Sequence, residues 1–359
     1  MWCQARKIVA TNMPPSRSGV VGGLFGLEPV SIANGSQDSP FASSSTSFFL
    51  NARCAIYAVC QSLRPSVAWL PSYLCADVLD PFRKLNIIVR FYDGRPNFKS
   101  HRRDWVAEVE SGDLVLTIHY FGFPNTTFRA DQLSRKGAVI IEDASQGLFL
   151  KQQYAESACI VHSPRKFLGV PDGGLMTSPT MHDLRLQPLE APPVEWWTSA
   201  LAATQLRREF DLVGGENQWF PLFRRVEENF PLGPYRASDL AKAIIESANY
   251  QSIRTARREN YLALAGQLKR YALFEVLDEE TVPLGFPVSV DIARRDTVLA
   301  CLYKQNIFPP VHWRIDGIVP NNFQESHKIS SCILTLICDQ RYTIDDMARQ
   351  AEAFLSAVN

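Results

Sequence analysis

The sequence predicts an α/β fold in which a mainly parallel sheet lies between helices and a smaller C-terminal α/β lobe follows. Two observations carry this. Between residues 48 and 178, short runs rich in β-branched and aromatic residues recur, each apolar throughout rather than alternating, as in strands buried on both faces. Further on, Ala, Ile and Leu recur at helical spacing through long charged segments before β-rich runs return near the C-terminus. A chain of 359 residues, 46% of them hydrophobic, is long enough to build more than one lobe.

Residues 12–47 are rich in Pro, Gly and Ser and read as an irregular arm with at most short ordered pieces. Their glycines supply neither the Gly-Lys-Ser/Thr of a phosphate loop nor a G-x-G-x-x-G fingerprint between strand and helix. "NARCAIYAVCQSL" then reads as a helix with Asn51 as a favourable N-cap. The runs "VAWLP", "IIVRFYD", "DLVLTIHYFG", "AVIIEDA", "ACIVHS" and "GGLMTS" read as strands. "WWTSALAATQLRREFDLV" is helical, and "ASDLAKAIIESANYQSIRTARRENYLALAGQLKRYALF" reads as one long helix, or two, joining the first lobe to the second. "GFPVSVD", "RRDTVLACLYKQNIFPPVHW" and "SCILTLICDQRYTIDDMARQAEAFLSAV" alternate strands and helices in a compact second lobe. The implied division is an arm over 1–47, a large domain over 48–245 and a small domain over 246–359.

Composition excludes several function classes. Lys plus Arg (37) equals Asp plus Glu (37), so no excess positive charge awaits a nucleic acid backbone or an anionic membrane. The eight cysteines are scattered singly, with no C-x-x-C pair and no His at zinc-ligand spacing, so no metal site is expected and a reduced setting is. No apolar stretch follows the basic residues of "MWCQARKIVATNMPP", and no uncharged run approaches a membrane span. The expectation is a soluble cytoplasmic protein.

In open parallel sheets ligands bind beyond the carboxyl ends of the strands. His119, Asp143 and Ser163 stand at the ends of apolar runs, and Lys166 follows shortly after. A partly desolvated lysine has its charged form disfavoured, becomes nucleophilic and can form a Schiff base. Pyridoxal phosphate needs such a lysine, a carboxylate for its ring nitrogen and donors for its phosphate, often at a helix N-terminus. Lys166, Asp143 and the helix start at Asn51, Ala52 and Arg53 offer all three, with the Ser163 hydroxyl as a further phosphate donor. Alone, an aspartate after a strand is a turn former and a lysine is solvated surface; their order and context point to chemistry. His119 and His162 are as well explained as hydrogen-bonded structural groups. "SPRK" also matches the S-x-x-K of serine β-lactamases, but those need S-D-N and K-T-G, and the chain has Ser238-Asp239-Leu240 and no K-T-G.

From "NARCAIYAV" to "CDQRYTIDDM" the chain resembles the DegT/DnrJ/EryC1/StrS aminotransferases, sugar-modifying members of the fold-type I pyridoxal phosphate enzymes. "VIIEDASQ" resembles the family's Glu-Asp-Ala-x-Gln strand end, which implies that Asp143 pairs with the pyridine nitrogen and Gln146 contacts the ring oxygen. "SPRKFLGVPDGGLMTS" resembles its Schiff-base segment, with Lys166 as the lysine. "WLPSYLCADVLDPF", "DLVLTIHYFGFP" and "YRASDLAKAI" resemble three further segments of the family. Departures stand beside these. Many members carry a phosphate-binding serine where this chain has Val161, while Ser163 matches the spacing of the aspartate aminotransferases. The ring-stacking aromatic falls at Cys75, leaving Cys75 or Tyr73 to pack there. The usual Gly-Thr/Ser-x-Ala-Leu loop is "NARCA", with Arg53 as an extra cation, and the asparagine that a neighbouring subunit sends to the phosphate is Pro234.

The resemblance implies a pyridoxal phosphate-dependent homodimer that moves an amino group from an amino acid, glutamate foremost, to a keto acceptor, for which the family suggests a nucleotide-linked keto sugar. The pocket is expected between the lobes, with His312, Trp313 and Arg341 as substrate candidates from the second; Arg341 has a plainer role available, pairing with Asp339. Two other readings stay open: another pyridoxal phosphate reaction on a small amino compound, and a non-catalytic ligand-binding member of the fold. Sugar dehydratases of the family replace the lysine by His, so Lys166 favours transamination over dehydration.

Overall fold

The computed structural model describes residues 19–30, 41, 45–96, 104–125, 129–179, 184 and 186–359. Its strands in chain order are β1 (Val21–Gly22), β2 (Thr46–Phe49), β3 (Val67–Pro71), β4 (Ile88–Tyr92), β5 (Leu114–Ile118), β6 (Val139–Ala144), β7 (Cys159–His162), β8 (Gly174–Thr177), β9 (Phe286–Ser289), β10 (Ile307–Phe308) and β11 (Ile333–Leu336). Seven of them form one sheet in the order β2-β8-β7-β6-β5-β3-β4. The β4, β3, β5, β6 and β7 pairings are all parallel, and only the β7/β8 and β8/β2 pairings are antiparallel. The expected mainly parallel sheet between helices is therefore present, with a smaller α/β lobe after it. Central β5 is buried at every position, whereas edge strand β4 alternates, which is why its run admits Arg90.

Register fixes the chemistry-bearing edge. Asp143 pairs with Ile118 on one side and Val161 on the other, so the ends of β5, β6 and β7 lie side by side. The helix Ala52–Leu63 begins beside them, capped by Asn51, whose Oδ1 accepts the Cys54 N–H at 2.8 Å. Strand β8 passes directly beneath that start. A Cβ on Gly174 would lie 2.1 Å from the Asn51 carbonyl carbon and 2.5 Å from the Ala52 nitrogen. The "DGG" before β8 is thus a close-approach device as well as a turn.

The long helical segment is two helices, Asp239–Ser247 and Tyr250–Leu268. Ala248 between them is extended, and Asn249 caps the second by accepting the Ser252 N–H at 2.9 Å. A helical hairpin, Val194–Val213 and Trp219–Glu228, precedes them; the second arm of this hairpin was not singled out by the sequence pattern.

In the second lobe β9 and β11 pair antiparallel, flanked by the helices Arg295–Lys304, Gln324–Cys332 and Ile344–Val358. β10 pairs in parallel with β1, so the described part of the arm joins this lobe at Val21↔Ile307 and then reaches the first, where Leu27 N–H donates to the Thr204 carbonyl at 2.9 Å. The stretch "MWCQARKIVATNMPP" and most of the remaining arm lie outside the described residues. Among the described residues, no helix is long and apolar enough to cross a membrane, and no group of three ligating side chains could hold a metal ion.

Candidate active site

A cavity of about 150 Å³ opens at the carboxyl edge of the parallel strands. Asp143, Gln146, Ser163 and Lys166 line it from the strand ends, Asn51, Ala52 and Arg53 from the helix start, Cys75 from the loop after β3, and Trp313 from the second lobe. The structure thus brings nine of the sequence-derived candidates around one space.

Asp143 is the penultimate residue of β6 and is buried, its Oδ1 accepting the Ser145 N–H at 2.8 Å. Gln146 sits in the turn that follows. Its Oε1 accepts the Phe121 N–H at 2.9 Å, while its buried Nε2 has no partner among the described residues. An unsatisfied buried donor costs about 1–3 kcal/mol, and among the described residues no acceptor relieves this one. Lys166 closes a single 3₁₀ turn, Pro164–Lys166, held by Phe167 N–H and Leu168 N–H donating to the Pro164 carbonyl, both at 2.8 Å. The second lobe grips the same turn: Arg257 donates to the Lys166 carbonyl at 3.4 Å and stacks 4.3 Å above Phe167, and Gln340 donates to the Phe167 carbonyl at 2.5 Å.

At the other end, Asn51 is occupied in structure. Its Nδ2 donates to the Pro231 carbonyl at 3.2 Å and its Oδ1 caps the helix, so what it offers the cavity is the open first turn, whose leading N–H groups have no intrahelical acceptor. Two guanidinium groups flank that turn, Arg53 and the unpredicted Arg165, each over the ring of Phe230. Burial, reinforced by the Asp77 charge, raises the pKa of the Cys75 thiol and keeps it a neutral apolar contact.

Three candidates do not line the cavity. Tyr73 is fully buried, its hydroxyl donating to the His312 carbonyl and its ring packed 5.6 Å from Trp313, so of the two proposed ring contacts only Cys75 faces the space. His312 shares a 2.9 Å hydrogen bond with Thr335 Oγ1, and burial of its ring together with the Lys166 charge pushes its pKa down. Arg341 takes the plainer role the sequence offered: its Nε and Nη2 donate to the two Asp339 carboxylate oxygens at 3.0 and 2.8 Å, and its Nη1 and Nη2 also donate to the Leu24 and Gly23 carbonyls. Two histidines at strand ends are structural as well. His119 accepts the Asn125 N–H at Nδ1, which leaves the Nε2 proton for Glu142 at 2.9 Å. His162 donates to the Leu150 carbonyl at 2.9 Å, and burial holds its pKa near 4.

Sequence reasoning missed Arg165, Phe230, Glu227 and the lysine-turn supports Arg257 and Gln340. Only Arg165, adjacent to Lys166, carried any local signal; the others arrive from segments 62 to 173 residues away.

No family model matches the chain, and no curated protein matches its sequence. Solved structures do. DesI, solved in the presence of its TDP-sugar product, is 17% identical over 88% of this chain and 81% of its own, with a TM-score of 0.61. A DegT DnrJ EryC1 StrS aminotransferase from Brucella abortus is 15% identical over 88% and 86%, with a TM-score of 0.58. NtdA from Bacillus subtilis, solved with bound PMP, is 15% identical over 87% and 73%, with a TM-score of 0.62. The chain shares the fold of these proteins, that of the fold-type I transferases.

Proposed function

We propose that this chain is a pyridoxal phosphate-dependent aminotransferase, acting as a homodimer to move an amino group from an amino acid, with glutamate the first donor to test, to a nucleotide-linked keto sugar. One observation carries the cofactor: Gln146, whose buried Nε2 has no partner among the described residues, lines the same cavity as Asp143 and Lys166, so an acceptor oxygen, a ring nitrogen and an aldehyde carbon would each have a partner there. The shared fold with a PMP-bound protein and with one solved beside its TDP-sugar product supports the cofactor and the sugar class.

Asp143 would hold the pyridine nitrogen, Gln146 the ring oxygen, Lys166 the aldehyde carbon, and the helix start with Ser163 the phosphate. When bound, the group supplies an electron sink for the carbanion left when an amino acid loses its Cα proton. The protein does the rest. Lys166 Nζ, at the end of its short 3₁₀ turn, would take that proton and return it two atoms away, across the nitrogen being transferred. The Asp143 carboxylate keeps a proton on the ring nitrogen. Arg257 and Gln340 hold the lysine turn from the second lobe, which limits misplacement of the base.

Titration of the purified chain with pyridoxal phosphate should develop the visible absorbance of a lysine-bound cofactor, and Lys166→Ala should not. Absence of that band at saturating cofactor removes the cofactor reading. Glutamate added alone should then convert the cofactor to its amine form, and failure with every common amino donor removes transamination.

A further inference from the structure

We infer that Arg165, paired with Arg53, is a ligand of the cofactor's phosphate ester, taking over from the serine and the neighbouring asparagine that this chain lacks. The inference rests on the reading of the cavity as a pyridoxal phosphate site and names residues that the reading did not require.

Phe230 locates the two arginines. Its ring lies 4.6 Å from the Arg165 guanidinium carbon and 5.2 Å from that of Arg53. The next residue, Pro231, receives Asn51 Nδ2 at its carbonyl. One aromatic ring therefore spans the lysine turn and the helix start, with a cation from each upon it. Both cations are largely withdrawn from water, their side chains 15% and 19% exposed. Their acids are the more exposed partners: Glu227, 40% exposed, meets Arg165 at 2.5 Å, and Asp80, 38% exposed, meets Arg53 at 2.9 Å. Glu227 also lines the cavity, as does Asp77, which stands 3.7 Å from Arg53. Arg165 lines the cavity too, and its Nε is buried with no partner among the described residues. The two guanidinium groups therefore stand beside an open helix N-terminus, with the Arg165 Nε donor left over after both ion pairs are made.

The donor count selects the anion. The first-turn amides, the Ser163 hydroxyl and two guanidinium groups exceed what the two oxygens of a carboxylate accept, and they suit the three terminal oxygens of a phosphate ester. The chain's own departures agree: Val161 is fully buried and apolar, and Pro234 has no side-chain donor.

The test compares pyridoxal phosphate with pyridoxal, which has the same ring and aldehyde and no phosphate, by spectroscopic titration of the full chain. Arg165→Gln should weaken pyridoxal phosphate about ten- to a hundredfold, the range for a hydrogen bond to a charged group, and leave pyridoxal unchanged. Glu227→Gln, which releases the guanidinium from its acid, should bind pyridoxal phosphate as tightly as the wild type or more so. A purely structural Arg165–Glu227 pair gives a different result, both variants weakening both ligands alike, and that overturns the assignment. Unchanged cofactor affinity in Arg165→Gln with a raised KM for donor or acceptor places the anion on a substrate and also overturns it. Should Arg165→Gln fail to fold, Arg165→Lys keeps the charge without the fork and should fall between the two, whereas wild-type affinity in that variant together with weakened Glu227→Gln returns the pair to a structural role. Wild-type protein that binds neither ligand removes the cofactor reading itself, a failure distinct from these.

Discussion

At the scale of single residues, the cavity is defined by what its side chains have already committed. Gln146 has one end fixed by the Phe121 amide and the other unspent, so its two atoms have separable roles. Gln146→Glu preserves shape and the acceptor for Phe121 but replaces the free donor by an oxygen. Folding stability should fall by about 1–3 kcal/mol near neutral pH, because a carboxylate replaces a neutral amide in a buried position, and cofactor affinity should fall about tenfold or more, since the donor that would meet the ring oxygen is gone. Thermal melts and cofactor titration measured side by side check this, and equal affinity would detach Gln146 from the ring. The same commitment explains which residues could be read from sequence. Asp143, Gln146, Ser163 and Lys166 sit within a few residues of their strand ends, where local pattern and location coincide. Arg341 was legible in part: its pairing with Asp339, two residues away, was the plainer of the two roles the sequence offered, whereas the Gly23 and Leu24 carbonyls that it also meets lie more than 300 residues away. Arg165 was read as a letter in a motif because Glu227 and Phe230 reach it only through the helical hairpin.

At the scale of elements, the site depends on how closely β8 runs under the first turn of Ala52–Leu63. Gly174→Ala puts a methyl carbon 2.1 Å from backbone that has no rotamer to yield, so helix start and strand must part. A loss of about 1–3 kcal/mol or more is expected from overpacking, with weakened cofactor affinity because the amides move. Gly266 is the control. It lies in the helix Tyr250–Leu268 with nothing within 4 Å of an added Cβ, so Gly266→Ala should stabilise by up to about 1 kcal/mol through helix propensity. Chemical denaturation of both variants tests the contrast; a neutral Gly174→Ala would mean that the packing relaxes freely. The strands were legible because apolar runs of their length have few alternatives in a parallel sheet. The break at Ala248 was left open because helical periodicity continues across it, and only the Asn249 cap marks the restart. The hairpin arm Trp219–Glu228 was missed since its segment, "WFPLFRRVEE", carries a proline and aromatics that obscure a helical stripe.

At the scale of the whole molecule, residues 19–30 act as a strap between lobes. Arg341 clamps the strap to the second lobe, its guanidinium 3.9 Å from the centroid of the Phe25 ring, and Tyr342 Oη accepts the Gly22 N–H at 2.8 Å. On the first lobe Glu28 and Gly169 exchange hydrogen bonds, Glu28 N–H to the Gly169 carbonyl at 2.8 Å and Gly169 N–H to Glu28 Oε1 at 3.2 Å. Gly169 follows the lysine turn, and a Cβ there would lie 1.8 Å from the Gly26 carbonyl oxygen, so strap and turn pack as one unit. Glu28 is almost wholly buried and its Oε2 has no partner among the described residues. Burial therefore raises its pKa from 4.5 to about 7, against the opposing pull of the Gly169 amide and of Arg208, Arg257 and Arg341. The folded chain then holds a proton that the unfolded chain releases between those values, so the stabilising contribution is complete below pH 4.5 and is lost as pH rises through about 7. At about 1.4 kcal/mol per pH unit the loss approaches about 3 kcal/mol. Glu28→Gln keeps the shape and the acceptor for Gly169 N–H while removing the ionisation. Its stability should match the wild type at acid pH and exceed it by that amount above neutrality, as followed by denaturant unfolding across the window. Parallel stability curves for the two proteins would show that Glu28 does not titrate in this range, and the strap would then hold the lobes together independently of pH.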